Sequence, residues 1–169
     1  MPKALLIIAQ QGFQDVEYAG TRKGLEAAGL AIVVASKERG PCTGKFGGTV
    51  TADIAMRDVK VGDYDRIGFI GGPGAAALAS DGDALNIAVE TYRSEIPLGA
   101  ICIAPTILAK AEVLEGKRAT VWNEDGKQAA VLEEYDAEFT DENVTVDGLV
   151  VTANGPEAAE EFGKALAAL

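Results

Sequence analysis

Short apolar runs alternate along the chain with longer segments in which apolar residues recur at helical spacing. Four runs have the length of β-strands: 3–10 (KALLIIAQ), 30–36 (LAIVVAS), 65–72 (DRIGFIGG) and 96–102 (IPLGAIC). The first has a continuously apolar centre, which is typical of a strand buried on both faces of a parallel sheet. The segments between and after them predict three helices: 16–28, 83–93 and 106–114. Small residues on the first helix, including Gly20, predict that it lies close to the sheet.

The remaining segments predict a hairpin, late strands and a final helix. Glycines and β-branched residues over 40–59 indicate a hairpin or meander, and 123–134 is ambiguous but compatible with a short helix. Further short strands are predicted at 118–122, 137–140, 143–148 and 149–154, with a turn at Asp147-Gly148. The last helix begins after Asn154, with Pro156 in its first position. This order predicts a single α/β domain over residues 1–169, a flavodoxin-like three-layer α/β/α sandwich with a mostly parallel sheet.

The composition restricts the class of function. The net charge is -11, from 26 acidic and 15 basic residues without a Lys/Arg cluster, so neither nucleic acid nor a membrane surface is an expected partner. No apolar run approaches the ~20 residues of a bilayer span, and the N-terminal run lacks a cleavage site, so a cytoplasmic location is expected. Histidine is absent, and Cys42 and Cys102 share no spacing motif. Cys-His and Ser-His catalysis are therefore excluded, and neither a metal nor an organic cofactor is predicted.

Three motifs fall where predicted parallel strands end, which is the sheet edge at which such folds bind ligands: 10–17 (QQGFQDVE), 71–74 (GGPG) and 102–105 (CIAP). The glycine motif contains a G-x-G-x-x-A pattern from Gly72 to Ala77. As a dinucleotide-binding signal it is weak, because it does not follow the first strand and Pro73 removes one N–H. Two other interpretations are a tight turn with positive φ, and N–H groups that face a developing oxyanion.

Cys102 stands where an apolar run gives way to a helix. A free cysteine there is either a small buried hydrophobe or a nucleophile at a sharp strand-to-helix turn. At such a turn the side chain is exposed at the sheet edge, and the N–H groups of the following helix favour a thiolate. The second interpretation predicts a thiol pKa below that of free cysteine. Cys42 lies in a Gly/Pro-rich turn and is interpreted as incidental.

Glu17 lies in the first turn of the first predicted helix. One interpretation is a solvated glutamate that complements the helix dipole. If the first and fourth major strands are neighbours, however, Glu17 points at Cys102. Two adjacent anions repel, so such a pair is expected to hold one proton between them, as a protonated carboxyl that donates to a thiolate. This arrangement activates a nucleophile without histidine.

Four segments resemble the ThiJ/PfpI superfamily, also called the DJ-1 superfamily: 15–29 (DVEYAGTRKGLEAAG), 68–74 (GFIGGPG), 99–120 (GAICIAPTILAKAEVLEGKRAT) and 146–169 (VDGLVVTANGPEAAEEFGKALAAL). The resemblance is closer to the DJ-1 branch than to the PfpI protease-like branch. It implies a flavodoxin-like sandwich, usually a homodimer, with Cys102 as the elbow nucleophile and Glu17 as its protonated partner. It also implies an oxyanion site at the N–H groups of Gly72 and Ile103, beside Gly71.

The chain departs from the family pattern in its missing histidine. PfpI-like members have histidine directly after the cysteine, where this chain has Ile103. The DJ-1 branch supplies histidine from a segment that aligns with Trp122 and Asn123, which are therefore candidate pocket residues. Glu17 with a raised pKa is the remaining candidate for the proton-transfer group.

Three functional hypotheses follow from the resemblance. The first is an enzyme whose Cys102 thiolate adds to a small reactive aldehyde, as in glyoxalase or deglycase activity. The second is an oxidative-stress sensor or redox-regulated chaperone that responds through Cys102 oxidation, so the expected partners are a small carbonyl compound or an oxidant. The third is a non-catalytic family member that binds a metabolite or protein. Glu124 and Asp125 are weaker candidates for a base, and peptidase activity is the least expected.

Overall fold

The structure is a computed structural model that describes residues 1–169, and a seven-stranded sheet forms its centre. The strands are β1 (Lys3–Ile7), β2 (Gln11–Phe13), β3 (Ala31–Ser36), β4 (Gly40–Gly44), β5 (Thr49–Ala52), β6 (Ile54–Ala55), β7 (Arg66–Phe69), β8 (Leu98–Ile101), β9 (Arg118–Ala119), β10 (Glu138–Phe139), β11 (Val144–Asp147) and β12 (Val150–Ala153). The central sheet has the order β11-β12-β8-β7-β1-β3-β6, and only the β11–β12 pair is antiparallel. The predicted, mostly parallel sheet is confirmed.

Helices cover both faces of this sheet. They are α1 (Asp15–Ala27), α2 (Gly82–Arg93), α3 (Pro105–Lys110), α4 (Gln128–Glu134) and α5 (Ala159–Ala168). Side chains of β1 and of Ile8, the residue that follows it, alternate between two apolar clusters, as the pleat of a strand requires. Leu5 and Ile7 pack with residues of α2, α3 and α4, whereas Leu6 and Ile8 pack with residues of α1 and α5. The three-layer α/β/α architecture predicted from the sequence is therefore confirmed.

Helices α1 and α5 touch backbone to backbone. A Cβ added at Gly24 would lie 2.6 Å from the carbonyl oxygen of Glu160, and one at Gly20 would lie 2.7 Å from the Cβ of Ala159. Gly20 and Gly24 therefore serve the contact of α1 with α5, and the predicted role of Gly20 in a close approach to the sheet is wrong. Because α5 fixes α1 in this way, the first turn of α1 is held at the carboxyl edge of the sheet.

A separate three-stranded sheet, β2-β4-β5, lies beside the start of α1. The predicted hairpin is present, because β4 and β5 pair antiparallel. Strand β2 falls between the first predicted strand and the first predicted helix, where no strand was predicted, and it is too short to show an apolar alternation. The two N–H groups of Phe46 and Gly48 donate to the carboxylate of Asp15, at 3.0 and 2.8 Å, so the hairpin turn is tied to α1.

Most predicted strands are longer than the observed ones, and two predicted elements end early for a specific reason. Helix α3 ends at Lys110 and not at 114, because Glu112 adopts a positive φ of 62° and the N–H of Val113 bonds back to the carbonyl of Leu108 at 3.1 Å. The strand predicted over 118–122 is limited to β9. The residues after Ala119 do not pair with β10, because the N–H of Thr120 donates to the hydroxyl of Thr152 at 2.9 Å.

The C-terminal hairpin and helix keep the predicted order. Strands β11 and β12 turn through Gly148, which has a φ of 58°, as the Asp147-Gly148 signal predicted. Pro156 begins a 3₁₀ turn, and the α-helix proper begins at Ala159. None of the helices combines the length and apolar character that a membrane crossing requires.

Candidate active site

Cys102 directly follows β8 and adopts a left-handed backbone conformation, with a φ of 64°. Two backbone hydrogen bonds hold it there, since its N–H donates to Ala153 at 2.9 Å and its carbonyl accepts from Trp122 at 2.9 Å. Such a conformation costs a non-glycine residue about 1–3 kcal/mol. The other non-glycine residues with positive φ are exposed, whereas the thiol of Cys102 is half-buried. The sharp turn predicted before α3 is thus present.

Glu17 is fully buried although it lies in the first turn of α1. The side-chain oxygen of Gln14 accepts from the N–H groups of Val16 and Glu17, at 2.7 and 3.1 Å, and so caps the helix. The N–H of Gln14 itself donates to the carbonyl of Gly71 at 2.9 Å. The turn that carries Glu17 is therefore bonded to the end of β7, and the interpretation of Glu17 as a solvated residue is wrong.

Glu17 reaches Cys102 by a different route from the one predicted. Strands β1 and β8 are not neighbours, because β7 lies between them. The side chain of Glu17 crosses the end of β7 at Gly71, where a Cβ would lie 2.6 Å from Glu17 Oε1 and 2.5 Å from the Cβ of Cys102. The absence of a side chain at Gly71 therefore leaves room for the carboxyl of Glu17 and the thiol of Cys102 to lie next to each other.

We expect Gly71→Ala to separate the carboxyl from the thiol. The added methyl group overlaps both groups, so at least one must move, and misplacement by about 1 Å lowers reaction rates about 100-fold. The measurement is the rate of Cys102 alkylation at neutral pH. Gly82→Ala is the matched control, because no heavy atom lies within 4 Å of a Cβ at Gly82. An alkylation rate that is unchanged in Gly71→Ala would show that the contact is not needed.

The two carboxyl oxygens of Glu17 have different surroundings. Oε1 accepts the N–H of Gly71 at 3.1 Å. Oε2 is buried and receives no hydrogen bond. A carboxylate would leave negative charge on this unpartnered oxygen, whereas a protonated carboxyl turns it into a donor with the sulfur of Cys102 as acceptor.

Burial raises the pKa of both groups. It raises the pKa of Glu17 to about 7, against the opposing effects of Cys102, the Gly71 N–H and the charge of Lys45. Burial and then the negative charge of Glu17 raise the pKa of the Cys102 thiol to about 12. For a thiol beside an ionised Glu17, this direction is opposite to the depressed thiol pKa predicted from the sequence; the prediction holds only if Glu17 keeps the proton that the pair shares.

The two pKa values describe a pair that loses its protons in two steps. Below about 7 the pair holds two protons, and between about 7 and about 12 it holds one. We expect that one proton to reside on the carboxyl, because the buried Oε2 of Glu17 has no donor to stabilise a negative charge, whereas the N–H groups of Gly72 and Ile103 lower the pKa of the Cys102 thiol. Only one N–H, that of Gly71, faces the carboxyl.

The glycine motif forms the tight turn that was one of its three interpretations. Gly72 has a φ of 108°, and a Cβ on it would lie 2.5 Å from the N of Gln14. A 3₁₀ turn over Pro73–Ser80 follows, so the motif does not open the α-helix that a dinucleotide-binding loop requires. The N–H of Gly72 lowers the pKa of the Cys102 thiol and so lies near the sulfur, on the side where an oxyanion would form in the oxyanion interpretation.

An open cleft of about 1320 Å³ lies above the Cys102–Glu17 pair. It brings together most of the residues that the sequence singled out: Glu17, Gly72, Cys102, Ile103, Trp122, Asn123 and Glu124. Asp125 does not line it, because its carboxylate accepts from Lys127 and Gln128 at the start of α4. Gly71 lies beneath the cleft, between Glu17 and Cys102.

Several residues of the cleft have no signal in the sequence. Asp141, Asn143, Asn154, Glu157 and Glu161 add polar groups to its walls. Lys45 reaches the cleft from the turn between β4 and β5. These residues are distant along the chain from the elbow motif, and only the folded arrangement of three loops and α5 brings them to the same side.

Comparisons with known proteins cover nearly the whole chain. The sequence matches the DJ-1/PfpI family over residues 2–169. It is similar to an uncharacterized protein of Methanocaldococcus jannaschii, with 34% identity over 162 residues that cover 95% of this chain and 78% of the relative. The structure is similar to that of a ThiJ/PfpI domain protein from Brachyspira murdochii, with a TM-score of 0.93, 30% identity and coverage of 98% and 94%. It is also similar to Drosophila melanogaster DJ-1beta, with a TM-score of 0.86, 27% identity and coverage of 99% and 89%.

Proposed function

The chain belongs to the DJ-1/PfpI family, and from this premise we propose that it is an enzyme that converts small reactive aldehydes through a covalent adduct on Cys102. In this proposal it acts in the cytoplasm as a homodimer, without metal or organic cofactor, and methylglyoxal is the test substrate. The same attack on aldehyde adducts of amines or thiols would give deglycase activity.

The observation that carries the proposal is the contact between a half-buried thiol and a fully buried carboxyl at the floor of a cleft. The unpartnered oxygen of Glu17 and the two N–H groups that face Cys102 favour a thiolate paired with a protonated carboxyl. Such a pair contains both a nucleophile and a proton donor, which are the two groups that addition to an aldehyde requires.

The proposed reaction begins when the sulfur of Cys102 bonds to the aldehyde carbon. The π electrons move to the carbonyl oxygen, which takes up the proton from Glu17 to give a hemithioacetal. The Glu17 carboxylate then removes the hydrogen of that carbon as a proton, which gives an enediolate, and returns the proton to the neighbouring carbon, while the hydroxyl proton on the first carbon moves to the oxygen of the second. The first carbon is oxidised to a thioester while the second is reduced to an alcohol, so no external oxidant is needed. Water hydrolyses the thioester to lactate and the thiolate; of the two protons released, one restores the carboxyl of Glu17 and the other passes to solvent.

The direct test is the formation of lactate from methylglyoxal by the purified protein. We expect turnover that saturates with substrate and that rises as pH increases through about 7, where the pair loses its first proton. A rate equal to that of buffer at every pH would contradict the proposed enzyme.

A second candidate function is oxidative sensing, which the difference between the two cysteines favours. Cys42 is fully buried and its pKa is raised by burial, whereas Cys102 is half-buried at the floor of the open cleft. Oxidation requires an accessible sulfur with thiolate character, and Glu17 can donate a hydrogen bond to the resulting sulfinic group.

We expect mild hydrogen peroxide to add oxygen to Cys102 at least about ten times faster than to Cys42, because only one of the two sulfurs is accessible. Peptide mass spectrometry over a time course measures both sites in the same sample. Glu17→Ala is expected to slow the reaction at Cys102 alone. Equal rates at the two cysteines would remove the support for a sensor.

A further inference from the structure

We propose that Lys45 binds the negatively polarised oxygen of the electrophile that reacts with Cys102. This inference deepens the proposed function, on which its relevance to aldehydes rests, by assigning the residue that holds the substrate oxygen. It predicts that the site prefers electrophiles with an anionic or strongly polarised oxygen beside the reacting carbon.

The first argument is the fixed position of Lys45. Its N–H donates to the carbonyl of Phe13 at 2.7 Å, so its backbone is bonded to β2. The next residue, Phe46, donates its N–H to Asp15 in the first turn of α1. Lys45 is thus held close to the helical turn that carries Glu17, and its side chain lines the cleft.

The second argument is the charge of the cleft. Its lining contains five carboxyl groups, those of Glu17, Glu124, Asp141, Glu157 and Glu161, and Lys45 is the single basic residue among them. Lys45 is therefore the one side chain of the cleft whose charge attracts an anionic substrate group, because the carboxyl groups repel it when they are ionised. The charge of Lys45 also lowers the pKa of Glu17, so it acts electrostatically on the reacting pair.

The third argument is that the ammonium group is free. It forms none of the ion pairs of the protein, whereas Lys23, Lys37 and Lys164 all contact carboxylates. Its Nζ lies over the ring of Phe46, 5.2 Å from the centroid, which is a weak contact that a ligand oxygen can replace. No carboxylate has to be displaced before Lys45 can bind a substrate.

The chemistry of the site gives such a group a role beside the proton donor Glu17. When the thiolate of Cys102 adds to a carbonyl, the C=O π electrons move to the oxygen and negative charge develops there. The chain has no histidine to compensate that charge. An ammonium group in the cleft stabilises the charge, and it does so more strongly in the adduct than in the neutral substrate.

The test compares alkylation of Cys102 by iodoacetate, which carries a carboxylate, and by iodoacetamide, which is neutral. We expect Lys45→Met to lower the ratio of the two rates about fivefold, the factor for removal of a unit charge about 4 Å away in high-dielectric surroundings. Lys45→Arg should keep the ratio within about twofold. Lys60→Met is the control for net charge, because Lys60 is exposed and lies outside the cleft.

The pH profile provides a second readout that a purely structural role would not change. In Lys45→Met the midpoint of Cys102 alkylation by iodoacetamide should move to higher pH, because the charge that lowers the pKa of Glu17 is gone. An unchanged ratio and an unchanged midpoint in Lys45→Met would overturn the inference. Both measurements follow alkylation and not turnover. A protein that shows this selectivity without converting methylglyoxal would therefore refute the proposed enzyme while it supports the role of Lys45.

Discussion

Replacement of Cys102 by alanine is expected to lower the conversion of methylglyoxal to lactate at least about a thousandfold, to the rate of buffer. The sulfur forms the covalent bond in the proposed reaction, and no second thiol reaches the cleft, because Cys42 is fully buried on β4. The substitution removes the nucleophile and keeps the backbone hydrogen bonds to Ala153 and Trp122, so the elbow should persist.

Two controls make this result specific. Cys42→Ala should retain the turnover of the unmodified protein, since it removes the other thiol of the chain at a site remote from the cleft. Circular dichroism and thermal unfolding of Cys102→Ala show whether the variant is folded. A folded Cys102→Ala protein that still forms lactate at more than about a tenth of the original rate would refute a covalent role for this sulfur.

Replacement of Glu17 by glutamine is expected to separate nucleophile formation from proton transfer. The amide can donate a hydrogen bond to the sulfur as the protonated carboxyl does, so the midpoint of Cys102 alkylation should stay within about one pH unit. The amide cannot carry a proton between two carbons, so turnover should fall about 10²–10⁴-fold. Glu133→Gln, on the exposed side of α4, is the matched control. Full turnover in Glu17→Gln would assign proton transfer to another group.

The same variant should change how stability depends on pH. Glu17 in an unfolded chain releases its proton near pH 4.5, whereas in the folded protein the pair of Glu17 and Cys102 releases its first proton near 7. The folded protein therefore holds a proton that the unfolded chain has released. This contribution is fully present below pH 4.5 and is lost as pH rises through about 7. From the lower to the higher pH, the free energy of unfolding should fall by about 3 kcal/mol more in the unmodified protein than in Glu17→Gln. Parallel curves for the two proteins would contradict the raised pKa.

The sequence predicts the architecture and both reacting residues because local signals mark them. Apolar runs of strand length end at the glycine motif and at Cys102, and parallel strands bring those ends to one edge. Glu17 is found for a similar reason, since it lies in the first turn of the helix that follows β1. Its contact with Cys102 was predicted on the wrong premise, because the sequence does not contain the strand order that places β7 between them.

Three features of the site depend on contacts between distant segments. The raised pKa of Cys102 arises from burial and from Glu17, and neither is visible in the residues around the elbow. Lys45 reaches the cleft only because Asp15 and Phe13 hold the hairpin turn. Strand β2 forms by pairing with β4, without an apolar alternation of its own. In each case the feature depends on a contact between residues that are far apart in the sequence, and the residues around it give no sign of that contact.

The pH dependence of Cys102 alkylation by iodoacetamide tests the central claim most directly. If Cys102 and Glu17 share a single proton, the rate should rise with a midpoint near the pH of about 7 at which the pair loses its first proton. The measurement needs no knowledge of the substrate, and mass spectrometry separates Cys102 from Cys42. A midpoint at or above the ~8.5 of an ordinary free thiol would contradict the shared proton and leave Cys102 as a packed, unactivated side chain.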